Sequence, residues 1–376
     1  MMATPELHGE NMLRWKTGPI PSQTENMDYN DPDELVSPRM HGGVIDMWRT
    51  AILGVGFIGT NHAEALLNSK MAELTAIVEL NEEAGKSAAA KYGCPYYATL
   101  EEALSKEPLD VVIICLPSYL HEEHAVRAVG HKLHVLCEKP FSLSVESARR
   151  MFDAAERNGV GMMAAQAARW TPELVEINDM IKKDMIGKIH IGVAKRLGQH
   201  PNWSTWHRDP AKSGGGLYDL CIHDLDFLVS VFGKVRSVHS IGWRSPTKCW
   251  NHIVNHLIFT SGANISCEAS MEMPDGYPFS VGYRIVGDKG GVEYNYAAGF
   301  NIHAESTSSL ICYENGGERK VLEVVPKDVY QLEIEAFLSC LHGEQPLPVT
   351  REDTLEVLSI AEAINQSLET GKPVEL

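Results

Sequence analysis

From Trp48 onward the apolar residues follow two rhythms, and the change from one to the other divides the chain. In the first part, short runs are apolar along their whole length, as strands buried on both faces are. These are Ala51-Ile52-Leu53, Leu74 to Val78, Val111 to Cys115, Leu133 to Cys137 and Met162 to Gln166. Between them fall segments with helical spacing. One carries Ala63, Leu66 and Leu67, and others lie near Asn81 to Tyr92 and Leu100 to Ser105. A further helix, which Ser118 can cap, bears Ala125, Val126 and Val129, and another has Val145, Ala148, Met151, Phe152 and Ala155 on one face. Strand-helix alternation of this kind predicts a parallel sheet covered on both sides.

Past Gln166 the rhythm changes. Thr171-Pro172 opens a helix that carries Leu174, Ile177 and Ile181 and stops at Gly187. Alternating runs then dominate, at Ile189/Ile191/Val193, Ile253 to Phe259, Ile265 to Ala269, Val281 to Ile285 and Val321 to Val325, and predict a mostly antiparallel sheet. Residues 217 to 232 interrupt it as a helix, and two more helices, near Val329 to Leu341 and Asp353 to Leu368, close the chain. The fold class expected is α/β followed by α+β. Residues 1–46 follow neither rhythm and form an extension with an acidic patch from Glu25 to Glu34. It is either a free tail or an arm against a neighbouring subunit, anchored by Leu13, Trp15, Ile20, Tyr29 and Leu35. The expected organisation is thus an extension (1–46), a nucleotide-binding unit (47–167) and a substrate and assembly unit (168–376).

The nucleotide reading rests on Gly54-Val55-Gly56-Phe57-Ile58-Gly59, set between the first strand and the first helix. Gly54 permits a tight turn, Gly56 leaves room for a pyrophosphate, and Gly59 lets helix and strand pack closely. The helix N-terminus adds free N–H groups and partial positive charge. Glu79, twenty residues beyond Gly59, ends the second strand where a carboxylate can accept from an adenosine ribose.

Charge narrows the partners. Lys plus Arg number 33 against 50 Asp plus Glu, and the net charge of -17 repels nucleic acid and anionic membrane surfaces. The eight cysteines stand singly, without a Cys-x-x-Cys pair, which suits reduced thiols. No run of eighteen apolar residues occurs and the N-terminus lacks the features of a signal peptide, so a cytoplasmic protein is expected.

Candidate chemistry gathers in two places. In the helix 217–232, Leu217, Cys221, Leu225, Leu228 and Phe232 share one face, while Asp219, His223 and Asp226 share the opposite one. An imidazole one turn from a carboxylate suits a general base, and Gly214-Gly215-Gly216 lets backbone approach a ligand. Lys139 follows a strand's C-terminal end, where open parallel sheets bind ligands, and its ammonium can donate to a reacting oxygen. Upstream, the segment from Gly198 to Arg208 sets Trp203 and Trp206 among Gln199, Asn202 and His207, a mixture suited to a sugar ring. No metal site is expected. His252 and His256 point one way from a strand about 13 Å apart, and His121 with His124 lacks a carboxylate or cysteine at ligand spacing.

Together these residues resemble the glucose-fructose oxidoreductase, inositol dehydrogenase and MocA family, Gfo/Idh/MocA. The resemblance runs from Trp48 to Leu376 and is carried by the glycine motif, Leu116-Pro117-Ser118 with His121, Cys137-Glu138-Lys139-Pro140, and Gly214 to Asp219 followed by His223 and Asp226. Gln166, Arg169, Trp206 and Arg208 extend it. It implies a Rossmann domain binding NAD or NADP, followed by an open antiparallel sheet commonly used to form homo-oligomers. It also implies hydride transfer between nicotinamide and a secondary alcohol of a sugar, cyclitol or glycoside. Carried over, Lys139 polarises the reacting oxygen, His223 exchanges its proton and Asp219 orients the site. Leu116, Pro117, His121, Glu138, Lys139, Gln166, Trp206 and Arg208 are implied at the cofactor, and Arg169 beside the substrate with Lys139, Trp203, Asp219 and His223. Glu79 stands where the family has Asp, and favours NAD because a carboxylate repels a 2′-phosphate. Some relatives cleave glycosides by transient oxidation, and others are non-catalytic sensors; both remain alternatives.

Overall fold

The computed structural model describes residues 40–41, 44–45, 47–200, 205–298 and 306–376. Trp203 and nearly all of the extension lie outside the described residues; only a hairpin, β1 (Met40–His41) with β2 (Val44–Ile45), represents the latter.

The apolar runs become a parallel sheet. Its strands are β3 (Trp48–Leu53), β4 (Ala72–Val78), β5 (Tyr96–Tyr97), β6 (Val111–Ile114), β7 (His134–Cys137) and β8 (Met162–Ala164). Every residue of β6, β7 and β8 is buried, which is possible because helices cover both faces. Those helices are α1 (Phe57–Asn68), α2 (Glu82–Tyr92), α3 (Leu100–Leu104), α4 (His121–Gly130) and α5 (Val145–Asn158). The Asn81 side chain caps α2 and Ser144 caps α5, and Gly93 and Gly159 end them in the left-handed conformation. The strand order is β5-β4-β3-β6-β7-β8 with every pair parallel. The order reverses beside β3, and a crevice therefore opens past the ends of β3 and β6, the place where such sheets hold ligands.

The second sheet has nine strands. After α6 (Pro172–Lys182) come β9 (Ile189–Leu197), the single turn α7 (Pro210–Ser213), α8 (Ile222–Phe232), β10 (Val235–Arg244), β11 (Trp250–Phe259) and β12 (Asn264–Ser270). Next are β13 (Ser280–Gly287), β14 (Gly290–Ala297), β15 (Thr307–Glu314), β16 (Arg319–Leu322), α9 (Val329–Leu341), α10 (Arg351–Thr370) and β17 (Val374–Glu375). The order is β16-β15-β14-β13-β9-β12-β11-β10-β17, antiparallel except for the β9–β12 pair. In β11, Asn251, Ile253, Asn255, Leu257 and Phe259 turn inward, as alternation requires. The opposite face leaves Ile191, Ile241, Trp243, Val286 and Val321 exposed.

Four strands, β10, β14, β15 and β17, were not legible as alternating apolar runs. In β10 a bulge between Val235 and Ser237 shifts the phase, and the inward position opposite Asn255 is Ser240, whose N–H donates to Ser367 Oγ at 2.9 Å. The closing helices return to the first sheet. Arg351 at the start of α10 pairs with Asp153 and Glu156 of α5, Glu362 accepts from the Val145 N–H, and α9 packs on α1. One continuous core results.

Candidate active site

The glycine loop lies at the crevice. Gly54 takes a φ of +89°, and a Cβ there would sit 2.7 Å from the Cys115 carbonyl oxygen; one on Gly59 would sit 2.0 Å from the Gly54 carbonyl oxygen. Neither position admits a side chain. Gly56 is different, since a Cβ there meets nothing within 4 Å. Open space beside the start of α1 is therefore available to a ligand. Gly56 is the N-cap, no side chain caps the helix, and its first turn holds no acidic residue. The first turn of α1 and its helix dipole thus face the crevice, as an anionic pyrophosphate requires. Phe57 is exposed and Ile58 half-buried at the same edge. Glu79 ends β4 beside the loop, its Oε2 accepting from the Val55 N–H at 3.0 Å and its Oε1 from the Asn81 N–H at 2.8 Å.

Two more loops line the crevice. After β6 come Leu116, which is buried, and half-buried Pro117; Ser118 then begins a short 3₁₀ turn. Ser118 does not cap the helix as expected, because α4 starts three residues later with Leu120 at its N-cap. His121, expected at the cofactor, is 1% exposed and lies between two carbonyls, Nδ1 2.9 Å from Pro140 O and Nε2 2.8 Å from Leu116 O. Both ring nitrogens are occupied by protein, so His121 straps the two loops together instead. Glu138 likewise faces away from the crevice. Its carboxylate turns into the core, where Oε1 meets His62 Nε2 at 2.7 Å and Oε2 accepts from the Lys139 N–H at 2.9 Å. Lys139 points the other way, and its ammonium donates to Asp219 Oδ1 at 3.0 Å and to Asp219 O at 2.9 Å. At the end of β8, Gln166 is 3% exposed and its Oε1 has no partner among the described residues, leaving a buried acceptor available to a ligand N–H.

Asp219 arrives from the second sheet's side. Gly214 and Gly215 take φ of +71° and +73°, and the Gly216 N–H donates to Asn251 Oδ1 at 3.0 Å. The expected regular helix from 217 begins instead as a π turn, Leu217–Cys221, before α8. The wider turn changes the helical phase between Asp219 and the residues of α8. Asp226, expected on one face with Asp219 and His223, forms a buried bidentate pair with Arg169, at 2.7 Å to Nε and 2.8 Å to Nη2. Arg169 also donates to Pro348 O at 2.9 Å and Asp353 Oδ2 at 3.2 Å. These bonds make Arg169 a brace between segments, not the substrate contact that was expected.

The electrostatics assign protonation states. Burial would raise the Asp219 carboxyl, but Lys139, His207 and His200 hold it below the usual range, so it is ionised. Burial pushes the His223 imidazole well below its ordinary value, and the nearby Lys139 and Arg196 charges push it further. It is neutral and able to accept a proton, and its Nδ1 has no partner among the described residues. Near it lies a network that residue spacing does not predict. Arg196 of β9 donates to both oxygens of Asp224, from Nη2 at 2.8 Å and Nε at 3.0 Å, and the Tyr283 hydroxyl donates to Asp224 as well. Trp206 and His207 stack with ring centroids 3.8 Å apart, Asp219 and Lys139 both act on His207, and Arg208 is exposed on the same turn.

These features fit a dinucleotide. Comparison with known proteins agrees. Residues 48–166 match an oxidoreductase family described as an NAD-binding Rossmann fold, and residues 178–376 match its C-terminal alpha/beta domain. The chain is 27% identical to the D-xylose 1-dehydrogenase (NADP(+)) 2 of Haloferax volcanii, over 86% of this chain and 98% of that one. It is 26% identical to the D-glucoside 3-dehydrogenase of Escherichia coli, over 87% and 97%. The fold is that of the aldose-aldose oxidoreductase from Caulobacter crescentus, with a TM-score of 0.78 at 23% identity over 88% of this chain and all of the other.

Proposed function

The chain belongs to the Gfo/Idh/MocA oxidoreductase family, and on that premise we propose that it transfers hydride between NAD and a secondary alcohol of a cyclic polyol, a sugar, cyclitol or glycoside. Gly54 to Gly59, Glu79, Leu116, Pro117 and Gln166 would hold NAD, which would supply the hydride acceptor. The remaining chemistry belongs to this chain. His223 accepts the hydroxyl proton in its neutral form. Lys139 donates to the reacting oxygen, and Asp219 holds the ammonium in place while compensating its charge. The observation that carries this reading is the Lys139–Asp219 contact at 3.0 Å, which joins a residue of the cofactor crevice to a residue of the π turn one helical turn before a neutral histidine. Trp206 with His207, and Trp203 in the same segment, suit the apolar face and hydroxyls of a pyranose ring.

The experiment is a stoichiometric one. Purified protein is denatured and its released dinucleotide identified, and the native protein is then offered pyranosides, inositols and short linear alcohols. Pyranosides or inositols are expected to reduce bound NAD; activity confined to linear alcohols would refute the assignment. Release of an aglycone without net NADH would identify a glycoside-cleaving enzyme instead.

Glu79 supports NAD over NADP, since its carboxylate repels a 2′-phosphate. Titration should give tighter binding of NAD, and Glu79→Ser should narrow the difference. Equal affinities in the unaltered protein would defeat the argument. A cytoplasmic homo-oligomer completes the proposal. Its interface is the outer sheet face, where Ile241 is 62% and Trp243 52% exposed in the single chain. Ile241→Glu with Trp243→Glu should lower the mass measured by light scattering, whereas an unchanged mass would remove this face from the interface.

A further inference from the structure

Directly behind Lys139 lies a buried polar group that the hydride-transfer chemistry does not use. His62 of α1, Glu138 at the end of β7 and Glu333 of α9 are 0%, 6% and 0% exposed, and one ligand-type atom of each lies within 4.8 Å of the other two. Glu138 already receives two hydrogen bonds, from His62 Nε2 at 2.7 Å and the Lys139 N–H at 2.9 Å. Glu333 receives none among the described residues; both of its oxygens are buried without a hydrogen-bond partner. Tyr330, one turn earlier on α9, lies edge-on to His62 with ring centroids 5.1 Å apart.

Two ionised carboxylates so close in a buried pocket repel strongly, and the cheapest remedy is one proton. The donors decide which carboxyl takes it. Glu138 is already met by two of them, whereas the Gln166 backbone N–H, outside regular hydrogen-bond geometry, is what reaches Glu333 among the described residues. Burial, and then the neighbouring Glu138 charge, push the Glu333 carboxyl well above the usual range. A shared metal ion is the competing remedy. Ligand atoms bound tetrahedrally at about 2.0–2.2 Å stand more than about 3 Å apart, and the 2.7 Å between His62 and Glu138 is a hydrogen-bond length.

We propose that Glu333 is a positioning residue: held protonated, it donates its O–H to Glu138, so that three donors from α1, the β7 loop and α9 fix the Glu138-Lys139 backbone and thereby aim the Lys139 ammonium. This rests on the reading of Lys139 as the group that polarises the substrate oxygen. The helix α9 thus reaches from the far end of the chain to set the catalytic lysine without touching substrate.

Two variants and three readouts test it. Glu333→Gln keeps an uncharged donor, and Glu333→Leu removes it. With a pyranoside that the parent oxidises, Glu333→Gln should keep kcat within a few-fold, while Glu333→Leu should lose about 10²-fold in kcat with the KM for NAD unchanged. Melting is then followed against pH. A carboxyl whose folded value is raised contributes stability below its unfolded value and loses that contribution as pH rises through the folded one. The parent should therefore lose stability relative to Glu333→Gln as pH rises from the ordinary glutamate range. His62, Glu138, Tyr330, Cys115, Cys137 and Asp226 face the same pocket and are common to both proteins, so the difference isolates Glu333. Elemental analysis of the holoprotein completes the set. A Glu333→Gln protein as impaired as Glu333→Leu, a flat difference curve, an unimpaired Glu333→Leu, or a stoichiometric metal lost on Glu333→Gln would each overturn the proposal. Should Glu333→Leu not fold, Glu333→Gln and its melting difference still decide. Should no sugar turn over at all, the reading of Lys139 fails, while the melting difference still reports the proton on Glu333.

Discussion

Lys139→Met and His223→Ala should each lower turnover by about 10² to 10⁴-fold, the usual worth of a positioned acid or base, while NAD binding stays near that of the parent. The separation is expected because both groups act on the substrate oxygen. Dinucleotide binding depends instead on the loop after β3 and the start of α1. Lys139→Met preserves length and removes the charge, leaving Asp219 buried without its principal counter-charge; part of the loss will therefore come from a carboxylate whose pKa rises once the ammonium is gone. The pH dependence distinguishes His223. Its imidazole lies well below the ordinary 6.5, so the neutral base persists on acidification and the acid limb of kcat for alcohol oxidation should fall below pH 6.5. An acid limb at or above that value, or near-normal turnover by His223→Ala, would require a different base. His207 is the nearest candidate, since Asp219 and Lys139 both act on it.

How far the sequence reaches is clearest at adjacent residues. The strands of the first sheet other than the two-residue β5, and the helix Val329–Leu341, are where the apolar spacing puts them, because burial on both faces, or on one helical stripe, leaves a direct trace in residue type. Glu138 and Lys139 are harder. The resemblance assigns both to the cofactor, yet successive residues leaving a strand point to opposite sides, so a lysine in the crevice implies a glutamate in the core. That signal was present in the chain. The π turn at Leu217–Cys221 left no such trace, and it changes the phase of Asp219 relative to His223. Neither Glu333 nor the Arg196–Asp224–Tyr283 network is readable from spacing, because each joins elements far apart in the chain. A charged residue on an otherwise apolar stripe was the only available hint.

That network carries the largest expected effect on stability. Asp224 is 0% and Arg196 8% exposed, and the Arg196 guanidinium meets both carboxylate oxygens. Asp224→Leu would leave a guanidinium buried without its anion and the Tyr283 hydroxyl without its acceptor. Breaking a buried pair from one side typically costs about 3–5 kcal/mol, which for a unit of this size corresponds to a fall of about 10 °C in Tm. The cost should come from the stranded charge more than from the lost contact, and a second substitution separates the two. Removing both charges, as Arg196→Met with Asp224→Leu, replaces the pair by apolar groups and should recover much of the stability lost by Asp224→Leu alone. The His223 imidazole offers an independent check. Arg196 is one of the charges that keep its pKa low, so in the double variant the acid limb of kcat should move up in pH. If the double variant melts as low as Asp224→Leu, the pair contributes shape that apolar side chains cannot supply, and the stranded-charge account is wrong.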